Sequence, residues 1–182
     1  DSNMYGTMEF IKKCEKNNIK PVIGLEVELE EFKLVLFAKN YEGYKSLIKL
    51  STIQNESIIS LEQLNKYNKE VIGVLPYKYR EKFDDLKNYY KDLYLGYTNK
   101  KEEKESLIIT NNVVFFQENL YLNKNDSSIL PYLYRIRDGK TISEDIDYET
   151  ENHNLIINNI LDLSDNTGLI NRAIGTDYTC EE

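Results

Sequence analysis

Histidine is nearly missing from this chain: 182 residues contain one, His153, alongside no tryptophan, two cysteines and three prolines. With Asn152 and Asn154 on either side, His153 reads as solvent-facing, so no Ser/His/Asp or Cys/His catalytic arrangement is credible. Cys14 and Cys180 have no CxxC spacing, which excludes a disulfide framework and fits a reducing cytoplasm. No apolar run approaches the roughly 18 to 20 residues that cross a bilayer, and no N-terminal signal is present, so a soluble protein with no membrane partner is expected. Basic residues are in deficit, 23 against 31 acidic ones, for a net charge of −8. That balance argues against an autonomous nucleic-acid binder, which needs clustered Lys and Arg to grip phosphates. There is no P-loop, GxGxxG or internal repeat. The acidic run Glu144-Asp145-Ile146-Asp147 lacks the glycine and spacing of a calcium loop. The fifteen tyrosines accompany abundant Lys, Asn and Ile, a bias expected of an AT-rich genome rather than of a base-stacking platform.

The length supports one substantial core. Met4, Met8, Ile11 and Cys14 share a helical face, so a helix is predicted over 4–17 with Asn3 as its cap and Asn17-Asn18 as its stop. Two runs rich in Val, Ile and Leu, Pro21 to Leu29 and Phe32 to Ala38, predict strands joined by the short acidic link Glu28 to Glu31. Helical spacing returns at Tyr41, Tyr44, Leu47, Ile48 and Ser51. A short helix should follow the Ser60 cap, then a strand at Val71 to Leu75, a helix marked by Tyr79, Phe83, Leu86 and Tyr90, and a strand at Leu93 to Tyr97. Asn99 to Glu105 reads as a solvated loop or helix end. Leu107 to Ile109 and Val113 to Phe116 read as strands, and a helix over about 127–138 should end at Gly139. Alternating strands and helices indicate an α/β fold with mainly parallel strands, either a barrel or an open sheet. Beyond about 145 the chain turns polar and Asn-rich. Two regions are therefore expected, a folded domain over 1–145 and a polar exit segment over 146–182.

Several ordered motifs resemble the polymerase-and-histidinol-phosphatase (PHP) domain of bacterial replicative polymerases. They are Asp1-Ser2-Asn3-Met4-Tyr5-Gly6, Ile23-Gly24-Leu25-Glu26-Val27, Leu34-Val35-Leu36-Phe37-Ala38-Lys39-Asn40 running into Gly43-Tyr44-Lys45-Ser46-Leu47, Ile109 to Phe115, and Arg137 to Ile142. The resemblance is strongest over residues 1 to 55 and weakens between 56 and 105. It implies a distorted, TIM-like barrel of seven strands, (β/α)7, with its site at the C-terminal strand ends. It also implies that this chain is a fragment lacking its first βα unit, and that the 146–182 segment leads toward a polymerase palm.

The family's polynuclear metal site draws imidazole and carboxylate ligands from several strands, because each ion takes four to six donors. At the matching positions this chain has Asp1, Glu26, Lys33, Asn112 and Val114. Asp1 is kept, but the family's next residue, a His, is not; Asp1 also reads as a helix cap. Glu26 matches a metal-bridging carboxylate and reads equally as a ligand or as a solvent-facing or salt-bridged acid, since burying it alone would be costly. Lys33 stands where the family has His; its ammonium would repel a cation and could replace one beside Glu26. Asn112 stands for an Asp, and Val114 for a His. The family's HxH pair would have to come from residues ahead of Asp1. With Asp1 and Glu26 the only carboxylates, too few ligands remain for a cluster that makes metal hydroxide.

The resemblance therefore implies the PHP domain of a replicative polymerase alpha subunit, structural and interacting, with no catalytic residues and no cofactor of its own. DNA-directed DNA synthesis and its Mg would belong to the parent protein, since the glycine-rich and triple-aspartate elements of a polymerase site are absent. Its partners would be the rest of the alpha subunit, a proofreading exonuclease and other replisome subunits. The alternative is an active PHP phosphoesterase or histidinol phosphatase using Zn or Mn; a third reading is an unrelated small α/β enzyme.

Overall fold

The computed structural model describes residues 2–116 and 124–141. They belong to two compact units, one containing residues 2–116 and the other residues 124–141. The predicted boundary at 145/146 lies outside the described residues, as do Asp1 and His153.

The first unit is built on a five-stranded sheet in the order β1-β2-β3-β4-β5. β1 (Gly24–Glu28) and β2 (Lys33–Ala38) form an antiparallel hairpin with Glu26 opposite Val35 and Glu28 opposite Lys33. A link this short cannot carry a parallel crossover, which takes a dozen or more residues, so the pair must be antiparallel. β3 (Val71–Pro76) pairs antiparallel to β2, and only β4 (Leu93–Tyr97) and β5 (Val113–Phe115) continue in parallel. The expectation of mainly parallel strands is corrected accordingly. The sheet is also open, with β1 and β5 as its edges.

Alternate residues face opposite sides of the sheet. Leu25, Val27, Leu34, Leu36, Leu75, Leu93 and Leu95 form one face, each at most 2% exposed. α2 (Tyr41–Gln54) and α3 (Leu61–Lys66) contribute Leu47, Leu50 and Leu64 to the same cluster. Burying each such leucine stabilises the fold by roughly 2 kcal/mol.

The Ala38 to Tyr44 motif has a local explanation. Asn40 Oδ1 caps α2 by accepting from the Gly43 N–H at 3.2 Å, and its amide donates to Glu70 at 3.1 Å. Lys39 forms an ion pair with Asp92, and its N–H donates to the Glu70 carbonyl at 3.0 Å. Glu70 adopts φ 53°, and a Cβ on Gly43 would lie 2.1 Å from that carbonyl oxygen. Only glycine permits this approach of helix to loop. α3 begins with the expected Ser60 cap, completed as a capping box by Gln63.

Four predicted elements are corrected. α1 spans Thr7–Lys16 with Gly6 at its N-cap; it buries Thr7, Ile11 and Cys14 and leaves Met8 exposed. Asn3 instead accepts from the Tyr5 N–H. The Tyr79 to Tyr90 helix is a 3-10 turn, Tyr77–Lys82, followed by the short α4 (Phe83–Leu86). Leu107 to Ile109 is no strand but the end of α5 (Lys100–Ile109). That helix is started by Asn99 Oδ1, which accepts from the Lys101 and Glu102 N–H groups at 3.0 Å each, while Glu102 accepts from the Thr98 N–H. The last helix splits into a 3-10 segment, Lys124–Ile129, and α6 (Leu130–Arg137), with Gly139 in the left-handed region beyond it.

Candidate functional site

The second sheet face carries the residues singled out from sequence. Register places Glu26, Lys33, Val35, Phe37, Val74, Gly96 and Val114 on it. Glu26 and Lys33 sit diagonally across the β1–β2 hairpin, and Lys33 Nζ donates to Glu26 Oε1 at 2.9 Å. Both side chains are partly exposed, 28% for Glu26 and 39% for Lys33. Burial alone would lower the Lys33 ammonium; the Glu26 hydrogen bond, with the charges of Glu26 and Glu28, outweighs it and raises the group above its usual range.

β1 is held at its outer edge by Gln54, at the end of α2. Its amide nitrogen donates to the Glu26 and Ser2 carbonyls at 3.0 Å each, and its oxygen accepts from the Glu28 N–H at 2.8 Å. The backbone around Glu26 is therefore fixed by a side chain that sequence inspection did not flag. Nothing in the mixed polar and apolar end of α2, Leu50-Ser51-Thr52-Ile53-Gln54, marks Gln54 out.

Val114 is buried at 1% exposure, opposite Gly96, where a Cβ would crowd Val74. Asn112 precedes β5, exposed; its carbonyl accepts from the Leu95 N–H at 2.8 Å. The fold thus brings Glu26 and Lys33 together but leaves Val114 on the opposite edge strand, with β2, β3 and β4 between. Asp1 lies outside the described residues.

Among the described residues, the matched positions do not supply a set of metal ligands. The Glu26 carboxylate is engaged by an ammonium, Val114 offers no donor atom, and among the described residues no group of three His, Cys, Asp or Glu could hold an ion. Near the start of β1 the same face opens into a cavity of about 420 Å³, lined chiefly by Phe10, Val22, Val35, Phe37 and Phe116, with Asn3 and Thr7 as its polar groups. Among the described residues no charged side chain lines it. Among the described residues no helix is long and apolar enough to cross a membrane.

The PHP domain model matches residues 1–127 of this chain. A DNA polymerase III subunit alpha from Streptococcus pyogenes serotype M3 is 31% identical over 151 residues, covering 78% of this chain and 14% of that relative. Proteins of the same name match over shorter stretches. The one from Halalkalibacterium halodurans is 37% identical over 84 residues, 41% of this chain and 8% of the relative. The one from Ureaplasma parvum serovar 3 is 51% identical over 51 residues, 28% of this chain and 5% of the relative. The chain thus spans only a small part of each relative it matches.

Proposed function

The chain belongs to the PHP domain family, and from that premise we propose that it is the PHP domain of a replicative DNA polymerase III alpha subunit, acting as a structural and interaction domain whose own metal site does not assemble. In this reading, DNA-directed DNA synthesis with Mg belongs to the parent protein, in the cytoplasm. The domain's partners are the remainder of the alpha subunit, a proofreading exonuclease and other replisome subunits. The open five-stranded sheet is part of a PHP-type barrel. The parent, not this acidic domain, holds the DNA.

The observation that supports the inactive site best is the ion pair of Lys33 with Glu26. A cation beside Glu26 would have to displace the ammonium, and the other matched positions among the described residues supply an exposed amide at Asn112 and a buried hydrocarbon at Val114. Generating a metal hydroxide needs several ligands converging on one ion.

Elemental analysis of the purified chain after incubation with Mn and Zn, with phosphoesterase activity assayed alongside, tests this reading. Neither bound metal nor turnover is expected. Near-stoichiometric metal, together with turnover lost in Glu26→Gln, overturns it in favour of an active phosphoesterase or histidinol phosphatase.

A further inference from the structure

The cavity beside β1 is walled by three aromatic side chains. Phe10 comes from α1, Phe37 from the end of β2 and Phe116 from just beyond β5, with Val22 and Val35 between them. Glycines let two of these side chains lie against the strands: a Cβ on Gly24 would stand 2.8 Å from the Phe37 ring, and one on Gly96 would stand 3.0 Å from the Phe116 Cβ. The Phe116 N–H donates to the Tyr97 carbonyl at 2.9 Å, which fixes the backbone that carries its ring. Phe37 and Phe116 are half-buried and Phe10 is 48% exposed, so the rings keep apolar surface for a further contact.

One end of the cavity is polar, and its groups have bonding capacity to spare. Thr7, in the first turn of α1, is buried at 9% exposure, and its hydroxyl has no hydrogen-bond partner among the described residues. A buried hydroxyl left unbonded costs free energy that a ligand's polar group can recover. Asn3 Oδ1 accepts from the Tyr5 N–H at 3.3 Å, while the Asn3 amide nitrogen has no partner among the described residues. The cavity thus offers one hydroxyl that donates or accepts and one amide that donates.

We propose that this cavity binds a small neutral aromatic molecule, one or two rings bearing a single hydroxyl or carbonyl, with the rings among Phe10, Phe37 and Phe116 and the polar group on Thr7 and Asn3. Each part follows from the lining. Aromatic rings favour edge-to-face or offset contacts with one another. A charged ligand would lose its hydration and meet no opposite charge among the described lining residues. A volume of about 420 Å³ lies near the lower end of the range for small-ligand pockets, roughly 300 to 1,000 Å³, which suits one or two rings. Neither Glu26 nor Lys33 lines the cavity, so the site stands apart from the proposed inactive metal site.

The probes are p-cresol and toluene, which differ by one hydroxyl, titrated into the full chain and followed by amide NMR. p-Cresol should shift the amides of Thr7, Gly24 and Phe37, and should bind roughly five- to tenfold more tightly than toluene, the factor that one added hydrogen bond supplies. Thr7→Val, which keeps the shape of the side chain and removes the hydroxyl, should abolish that preference and leave the toluene affinity unchanged. Val35→Phe, which fills the cavity from β2, should weaken both probes by roughly tenfold or more. No shift at millimolar p-cresol, equal affinities for the two probes in the parent chain, or a preference that survives in Thr7→Val would overturn the proposal. So would tighter binding of N-acetyltyrosinamide than of p-cresol, which would assign the cavity to a tyrosine side chain of a partner protein.

Discussion

The two faces of the sheet come from alternating residues of the same strands, yet they have different work. One is mostly leucine, sealed by α2 and α3, and tied down by the Asn40, Gly43 and Glu70 junction. The other buries Ile72, Val74 and Val114 toward β3 to β5 but, on the β1–β2 hairpin, holds a partly exposed ion pair, half-buried Val35 and Phe37, and an apolar cavity. The difference shows where constraint lies. On the packed face almost any change alters volume in a closed space, whereas on the other a partly exposed charged pair, Glu26 and Lys33, is accommodated without burial of either charge. The junction of Lys39, Asn40 and Gly43 is instead fixed by its contacts with Glu70.

That contrast is broken most sharply by truncating neighbours on β2. Leu36→Ala should cost about 3 kcal/mol in urea unfolding, because Leu36 is fully buried and leaves a cavity, whereas Val35→Ala should cost about 1 kcal/mol. Equal costs would mean that the two faces are packed alike. Glycines sharpen the same comparison. Gly43→Ala should lose about 2 to 3 kcal/mol, since its Cβ meets a backbone carbonyl at 2.1 Å; Gly24→Ala should lose about 1 kcal/mol or less, since its Cβ meets the Phe37 ring at 2.8 Å and a side chain can swing aside.

The smallest effect belongs to the ion pair. Lys33→Met should shift stability at neutral pH by less than about 1 kcal/mol, as both partners are partly solvated. The pH dependence has a definite sign. Because the folded state raises the Lys33 ammonium above its ordinary value, its contribution is fully present below that value and is lost as the pH rises through the folded one. The melting temperatures of the parent chain and Lys33→Met should therefore converge as the pH rises to strongly alkaline values. A difference that persists unchanged there would mean that the lysine charge does not control the pair.

Much of the architecture is legible in local pattern. β4 over Leu93–Tyr97, α2 behind Asn40 and the Ser60 cap of α3 follow from apolar runs and capping residues acting over a few positions. The misread elements share a physical cause. Leu107 to Ile109 is a short apolar run whose state is decided by the Asn99 cap upstream, and three residues cannot show a period. Met8 shares a helical face with Ile11 in sequence, but which side of α1 turns inward depends on what the sheet offers, and the sheet takes Thr7, Ile11 and Cys14. Tyr79 breaks the predicted helix because its backbone leaves helical geometry inside the 3-10 turn.

Of the candidate site, the residue types were readable in order: an acid at 26, a base at 33, and no imidazole at 114. Those identities alone bound the chemistry, since Val114 cannot ligate an ion in any fold. What sequence determined, then, was composition, the capped helices, the strand segments and the ligands that cannot exist. Tertiary structure decided the rest. The hairpin register set Lys33 diagonally across from Glu26 rather than on the other face, Gln54 reached back to clamp the edge of β1, and the sheet order put three strands between Val114 and Glu26. These are long-range outcomes: which side chains meet depends on strand pairing and register, and a one-residue slip would have turned the whole of β2 to the opposite face.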